Sequence, residues 1–429
     1  MSKFPTPTTD QLKDESSLSG KAEGILNPTN EQEAANMIRD NREYKITFQG
    51  TRTGICGGSV PEGGIMLGTA FMKWLREPVE DGDDVLLPVG AGVTLDQLEK
   101  PLRKNWSEYI WPPHPTEETA TVGGICALGS KGINACHYGD TRQYIAGVHI
   151  IDSEGNLREV TDPAGLDRIV GCEGEAGLIT EVTIRLVRKP EATWAVALFF
   201  EEEQDAAKCA GEMKSLFDKD PDVFITANEF LDGSSIRLLD DFRETSEALQ
   251  SVPAFPENTE AMLYIEIAGS AAKMMPSLMP IIQCAAACGS DPDKSWAQTS
   301  EQGVEQLRAV RHAVSQAANA FIARRHSEDD RIVKLGLDLA RPEESFAEVL
   351  AGYRKDLSDS GLASVSFGHV YNNNIHVNLL PEDYEEYKKG EDLMRKWVSE
   401  GISRGGKAFD EHRLGRLKKR LLQKNESPE

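Results

Sequence analysis

Apolar and polar positions alternate along residues 45–49, a period of two that predicts a strand, and Ile65 to Gly68 reads as the next one. Between them lies Gly50-Thr-Arg-Thr-Gly-Ile-Cys-Gly-Gly-Ser-Val-Pro-Glu-Gly-Gly64, a long glycine-rich loop. Upstream, Ile25 opens a strand that runs into a helix. Ala34, Met37 and Ile38 give that helix one apolar face, and Thr29 with Gln32 has capping-box spacing. Residues 147–160 read as two strands about a Glu-Gly-Asn turn, and Leu178, Thr180, Val182, Ile184 and Leu186 alternate along another. Arg188-Lys-Pro-Glu191 marks a boundary, after which the pattern restarts. A strand at Trp194, Val196, Leu198 and Phe200 is followed by a helix to about Phe217 and a strand over 223–230. A strand through Leu263, Ile265 and Ile267, a helix over 271–289 and a long helix near 300–325 come next. Strands 364–370 and 375–379 precede a charged helical tail that starts at Pro381. The expected organisation is an arm (1–24), a first domain (25–190), a second (191–380) and a helical C-terminal segment (381–429).

Composition narrows the function classes. Seventy acidic residues against 47 basic ones give a formal net charge of −23. A surface that acidic repels phosphate backbones and anionic lipid, which argues against nucleic acid and membrane surfaces as partners. No apolar run reaches the length of a membrane span, and the first residues hold no apolar signal core. Seven cysteines without a Cys-x-x-Cys pair predict reduced thiols, a cytoplasmic protein and no iron–sulfur cluster of its own. Cys284 and Cys288, one helical turn apart, read as core residues of a helix, with metal binding the lesser alternative.

The candidate chemistry sits near the C-terminus. Gly368-His-Val-Tyr-Asn-Asn-Asn-Ile-His376 places His369 and His376 on two strands joined by a tight turn, and Glu411-His412 follows. Two imidazoles and a carboxylate suit Zn²⁺, Fe²⁺ or Mn²⁺ and leave positions open for a substrate. Loop 50–64 offers glycines whose backbone N–H groups approach phosphate oxygens closely.

Two further glycine-rich segments stand in order behind that loop. They are Trp111-Pro-Pro-His-Pro-Thr116 with Ala120-Thr-Val-Gly-Gly124 onward to Arg142, and Gly171-Cys-Glu-Gly-Glu-Ala-Gly-Leu-Ile-Thr-Glu181. The three together resemble the FAD-binding domain of the vanillyl-alcohol-oxidase-like flavoproteins. The implied fold is α+β: a two-subdomain FAD-binding (PCMH-type) domain, an α+β cap domain with an antiparallel sheet, and a helical C-terminal segment returning to the FAD site. The resemblance implies cofactor contacts from Gly50, Thr51, Arg52, Thr53, Gly54, Gly57, Gly58 and Ser59. It implies others from Pro113, Thr121, Gly123, Gly124, Tyr138 and Gly139, and from Glu173, Gly174, Gly177 and Ile179. The loop has no histidine of the kind some relatives bond to flavin, so the FAD is expected to be non-covalent. His114, where relatives often carry aspartate, has two readings, a contact to flavin or substrate and a surface loop residue, of which the second is favoured.

The C-terminal half is similar to the glycolate oxidase / D-lactate dehydrogenase / D-2-hydroxyglutarate dehydrogenase branch, whose signatures are Gly-His-x-Gly-Asp-Gly-Asn-x-His and Glu-His-Gly-x-Gly. That resemblance implies His369, His376 and Glu411 as metal ligands, His412 as the base and Asn374 at the substrate. Leu307-Arg-Ala-Val-Arg311 gives Arg311 the substrate carboxylate, and Lys334 is a further substrate-binding candidate on a looser match. Tyr371, Asn373 and Arg413 stand where the family has glycine. The implied activity is oxidation of a D-2-hydroxy acid to the 2-oxo acid, with hydride passing to flavin N5. Electrons then go to an external acceptor: an iron–sulfur subunit, an electron-transfer flavoprotein or a quinone-linked partner. Two alternatives remain open at this point: a metal-free flavoenzyme acting on another alcohol, or a flavoprotein subunit whose substrate site has changed.

Overall fold

The structure, a computed structural model, describes residues 3–213, 216, 222–411 and 415–422. It divides into two units, residues 1–189 with 411–429 and residues 190–410. The tail expected as one segment from 381 is shared between them. Helix Tyr384–Ser403 belongs to the second unit, where Trp397 packs edge-on to Tyr353 at 5.0 Å and a Cβ on Gly390 would meet Leu335 and Leu379. Helix Gly415–Leu422 belongs to the first, where the amides of Arg416 and Leu417 donate to the Cys56 carbonyl.

In the first unit, Ile65–Gly68 lies between Gly24–Leu26 and Ile46–Gln49 in a three-stranded parallel sheet. All four residues of the central strand are buried, as expected for a parallel strand covered on both faces. Helix Glu31–Asp40 turns Ala34, Ala35 and Ile38 onto Leu67, Met72, Ile151 and Leu178. Its cap lies one residue past the expected Thr29 and Gln32. Asn30 accepts from the Glu33 amide, and Thr29 donates to the Glu33 carboxylate, because Glu33 and not Gln32 occupies the third helical position.

The larger sheet of this unit is antiparallel, in the order Val79–Asp81, Asp84–Gly90, Leu178–Arg188, Ile145–Ile151, Leu157–Val160, with Tyr109–Ile110 paired to the end of Leu178–Arg188. Its inward residues Leu87, Val89, Val148, Ile150, Val182 and Ile184 are essentially water-free against helices Leu95–Asn105 and Val122–Leu128. Each contributes about 1.5–3 kcal/mol of burial.

The second unit is built on a seven-stranded antiparallel sheet, in the order Trp296–Gln298, Ala192–Phe200, Ala261–Gly269, Val223–Asp232, Ser364–His369, Asn374–Leu379, Leu335–Gly336. Helix Glu203–Met213 follows the first long strand, and the helix end expected at Phe217 lies outside the described residues. The 28-residue helix Glu301–Glu328 turns Arg308 and Arg311, one turn apart, onto two buried strand carboxylates, Glu266 and Glu229. Two-residue strands Leu339–Ala340 and Lys407–Ala408 pair beside the sheet and carry the chain toward Glu411. Among the described residues no helix is long and apolar enough to cross a membrane.

Candidate active site

Strand register brings the histidines together. His369 pairs with Asn374 and Phe367 with His376, so the two histidines are diagonal neighbours on one face of the hairpin. Their rings meet edge to face, with centroids 5.4 Å apart. The turn between them needs two unusual backbones. Gly368 has φ +142°, and a Cβ there would stand 2.4 Å from the Asn374 carbonyl oxygen. Asn373 has φ +53°, in the left-handed region that asparagine tolerates, which accounts for its standing at a glycine position of the motif. The Asn373 amide is fully buried and donates to the carbonyls of Arg341 and Glu344.

The neighbouring strand supplies a residue that the sequence reading missed. Glu229 lies directly across from His369 and is fully buried. The His369 Nδ1–H donates to Glu229 Oε1 at 2.6 Å, and Arg311 donates to Oε2 through Nε at 2.9 Å, with Nη2 at 2.8 Å. Burial alone would push the Glu229 carboxyl up. The positive charges of His369 and Arg311, and their hydrogen bonds, outweigh it and hold the group below the usual glutamate value. Its one sequence signal is a carboxylate inside an otherwise apolar strand, Val223–Asp232.

On His376 the Nδ1–H donates to the Leu337 carbonyl at 3.3 Å. Both imidazoles therefore carry a proton on Nδ1, held by a carboxylate on one and a carbonyl on the other. Asn374 accepts from the Leu339 amide and donates to Asp338, whose own carbonyl accepts from the Phe409 amide. His369 and His376 each offer a ligand atom on the hairpin of the second unit, while Glu411 belongs to the first unit. His412 and Arg413 lie outside the described residues.

Arg311 is 4% exposed, pairs with Glu229 and lies 4.8 Å over the Phe367 ring. Lys334 donates to Asn319 at 2.6 Å. Tyr371, half-buried, has its ring 5.7 Å from that of His369.

In the first unit the three glycine-rich segments, scattered over some 130 residues of sequence, converge. Thr51 donates to the Thr119 carbonyl at 2.7 Å, and a Cβ on Gly50 would stand 2.4 Å from Thr121 Oγ1. The Thr121 hydroxyl caps helix Val122–Leu128 by accepting from the Gly124 amide, and Gly123 lies against Ala91. Gly171 and Glu173 donate to the carbonyls of Cys126 and Ala127, and Gly174 faces Phe48. Arg52 and Glu173 adopt positive φ without being glycine, and Gly57, Gly139 and Gly177 share that region. Ile179 lies in the core of the larger sheet, Pro113 is buried, and the Tyr138 ring packs edge-on to His137 at 4.7 Å. His114 is half-buried and bonded to Glu99 at 3.1 Å, so it is not a solvent-facing loop residue.

Buried side-chain oxygens of Gln49, Ser59 and Asp14 ring loop 50–64 without a protein partner. Thr53, Gly54 and Gly58 complete the loop, and a Cβ on Gly58 would meet no atom within 4 Å. Glycine backbone at positive φ and the unpartnered Ser59 hydroxyl fit a ligand of diphosphate type, whereas the Gln49 and Asp14 oxygens are acceptors and suit a ligand's donor groups.

Comparison with known proteins agrees with both halves. The family described as FAD linked oxidases, C-terminal domain, matches residues 189–429, and an FAD binding domain matches residues 22–161. The chain is 27% identical to a D-lactate dehydrogenase of Archaeoglobus fulgidus, over 92% of this chain and 83% of that one. It is 24% identical to a glycolate oxidase subunit of Bacillus subtilis, over 94% and 82%. Among solved structures, an alkyldihydroxyacetonephosphate synthase superposes with a TM-score of 0.63 at 15% identity, over 89% of this chain and 72% of that one, a likeness of fold.

Proposed function

Because the chain belongs to the FAD-linked oxidases, we propose that it oxidises a D-2-hydroxy acid of the lactate, glycolate or 2-hydroxyglutarate class to the 2-oxo acid. The observation that carries this reading is a pair of imidazoles on one hairpin, edge to face, each with its Nδ1 held by a buried acceptor. That donor set fits a divalent cation of the Zn²⁺, Fe²⁺ or Mn²⁺ group. Bound there, such a cation would hold the hydroxyl and carboxylate oxygens of the acid and lower the hydroxyl pKa. FAD, held without a covalent bond by loop 50–64 and its two companion segments, supplies the hydride acceptor.

The chain's own residues do the remainder. Glu229 and Leu337 fix the tautomers of His369 and His376. His412 takes the hydroxyl proton, a task suited to an imidazole near neutral pH. Arg311 supplies positive charge to the Glu229–His369 network, and with Asn374, Lys334 and Tyr371 shapes the approach of the acid. Electrons then pass to an external acceptor: an iron–sulfur subunit, an electron-transfer flavoprotein or a quinone-linked partner.

Anaerobic addition of a panel of D- and L-2-hydroxy acids tests the proposal. One D-acid is expected to bleach the oxidised flavin band, and His412→Ala to abolish that bleaching while FAD stays bound. Bleaching by a simple alcohol without a carboxylate, undiminished in His412→Ala, would overturn it.

A further inference from the structure

Three thiols and a carboxylate meet between two helices of the second unit, apart from the histidine hairpin. Helix Glu203–Met213 carries Cys209 and Glu212, three positions apart. Helix Met274–Ala287 carries Cys284, and its C-cap is Cys288, four positions on. Those spacings set each pair on one face of its own helix. The sulfur atoms of Cys209, Cys284 and Cys288 all lie within 4.8 Å of one another. Glu212 Oε2 stands 3.6 Å from the Cys284 sulfur and 3.7 Å from that of Cys288. Cys209 and Cys288 are buried, Cys284 is half-buried, and the Glu212 side chain is 49% exposed, which leaves a route from solvent.

An apolar core gains nothing from this grouping. A thiol is a weak hydrogen-bond donor, and here three of them crowd one another and a carboxylate.

We propose that Cys209, Cys284 and Cys288, with Glu212 as fourth ligand, form a binding site for a thiophilic divalent cation of the Zn²⁺ class. Three sulfur ligands at about 2.3 Å in a tetrahedron place sulfurs about 3.8 Å apart, inside the 4.8 Å within which the three sulfur atoms lie. Binding breaks three S–H bonds, forms three metal–sulfur bonds and releases three protons to solvent, with no change of oxidation state. Four protein ligands close the coordination sphere, so the site is structural and clamps helix Glu203–Met213 to helix Met274–Ala287.

Co²⁺ added to the reduced, FAD-containing full-length protein tests this. Thiolate ligation gives intense tetrahedral bands in the red, beyond oxidised flavin absorption, and a sulfur-to-metal charge-transfer band. Nitrogen–oxygen ligation at the histidine hairpin gives no charge transfer from sulfur. Both bands are expected in the wild type, displaced by Zn²⁺, and retained in His369→Ala. Cys284→Ser, at a half-exposed position that tolerates the change, is expected to remove the charge-transfer band and weaken Co²⁺ binding at least about 100-fold. Absence of the charge-transfer band in protein whose thiols titrate as fully reduced would overturn the site. So would its survival in a folded Cys284→Ser protein, or a Cys284–Cys288 disulfide forming with no metal uptake.

Discussion

Glu229 holds together two functions that mutation should separate. Its carboxylate is the counter-charge of a fully desolvated arginine and the acceptor that fixes the His369 tautomer. Glu229→Gln keeps the shape and removes the charge, leaving Arg311 buried without an anion. Breaking a buried pair in this way costs about 3–5 kcal/mol. Loss of the carboxylate behind a metal-ligating imidazole typically weakens metal binding about 10–100-fold. Denaturant melts and metal analysis of Glu229→Gln are expected to show both losses, with the flavin content of the folded fraction unchanged.

A second residue gives a pH dependence. Asp14 is buried beside loop 50–64, and burial, only partly offset by hydrogen bonds from Ser16 and Gly57, raises its carboxyl from 3.8 to about 6. Between those values the folded protein binds more protons than the unfolded chain. The stability associated with this group is therefore fully present below about pH 4 and lost as pH rises through about 6, a change of about 1–3 kcal/mol. Asp14→Asn keeps an acceptor for Ser16 without the charge. It is expected to melt higher than wild type at pH 7.5, by a margin that shrinks to nothing near pH 4.

At the level of elements, the hairpin Ser364–His369 and Asn374–Leu379 depends on one glycine. Gly368→Ala forces a Cβ into the Asn374 carbonyl at a positive φ, and is expected to cost about 1–3 kcal/mol and to release metal, read by thermal melts with metal analysis. Gly352→Ala is the matched control. It lies exposed in helix Phe346–Ser360 with open space about it, and should stabilise the protein by about 0.5–1 kcal/mol.

The same hairpin shows how far sequence pattern reaches. Strand-forming residues on either side of the histidine motif located both strands to within a residue, although burial at nearly every position leaves them no alternation. The approach of His369 to His376 follows from local register across a four-residue turn, so spacing alone was enough to see it. Glu229 was not visible in this way. Its partner is 140 residues away, and that contact exists only because the order of strands sets Val223–Asp232 beside Ser364–His369. Arg308 and Arg311 illustrate the same limit: helical spacing put them on one face, and only the sheet supplied Glu266 and Glu229 to desolvate them. The thiol cluster likewise depends on two helices more than 60 residues apart in sequence, and a Cys-x-x-x-Cys turn read alone gives an ordinary helix face.

For the whole molecule, the division of labour between units gives a sharp expectation. Every residue assigned to FAD falls between Gly50 and Ile179 in the first unit, while His369 and His376 stand on a sheet of the second. Flavin retention and metal retention should therefore be separable. Treating the protein with a strong chelator and desalting it is expected to remove the cation while the flavin remains with the protein. The D-acid that bleached the flavin should then fail to do so, and one added equivalent of Zn²⁺, Fe²⁺ or Mn²⁺ should restore the reaction. Cys284→Ser provides the internal reference, since it empties the thiol cluster and leaves the hairpin's donors in place. If chelation abolishes turnover equally in wild type and Cys284→Ser, the catalytic cation is the one at the hairpin. If chelated protein reduces its flavin with the acid at the original rate, the hairpin histidines serve the fold and the alcohol is oxidised without a metal.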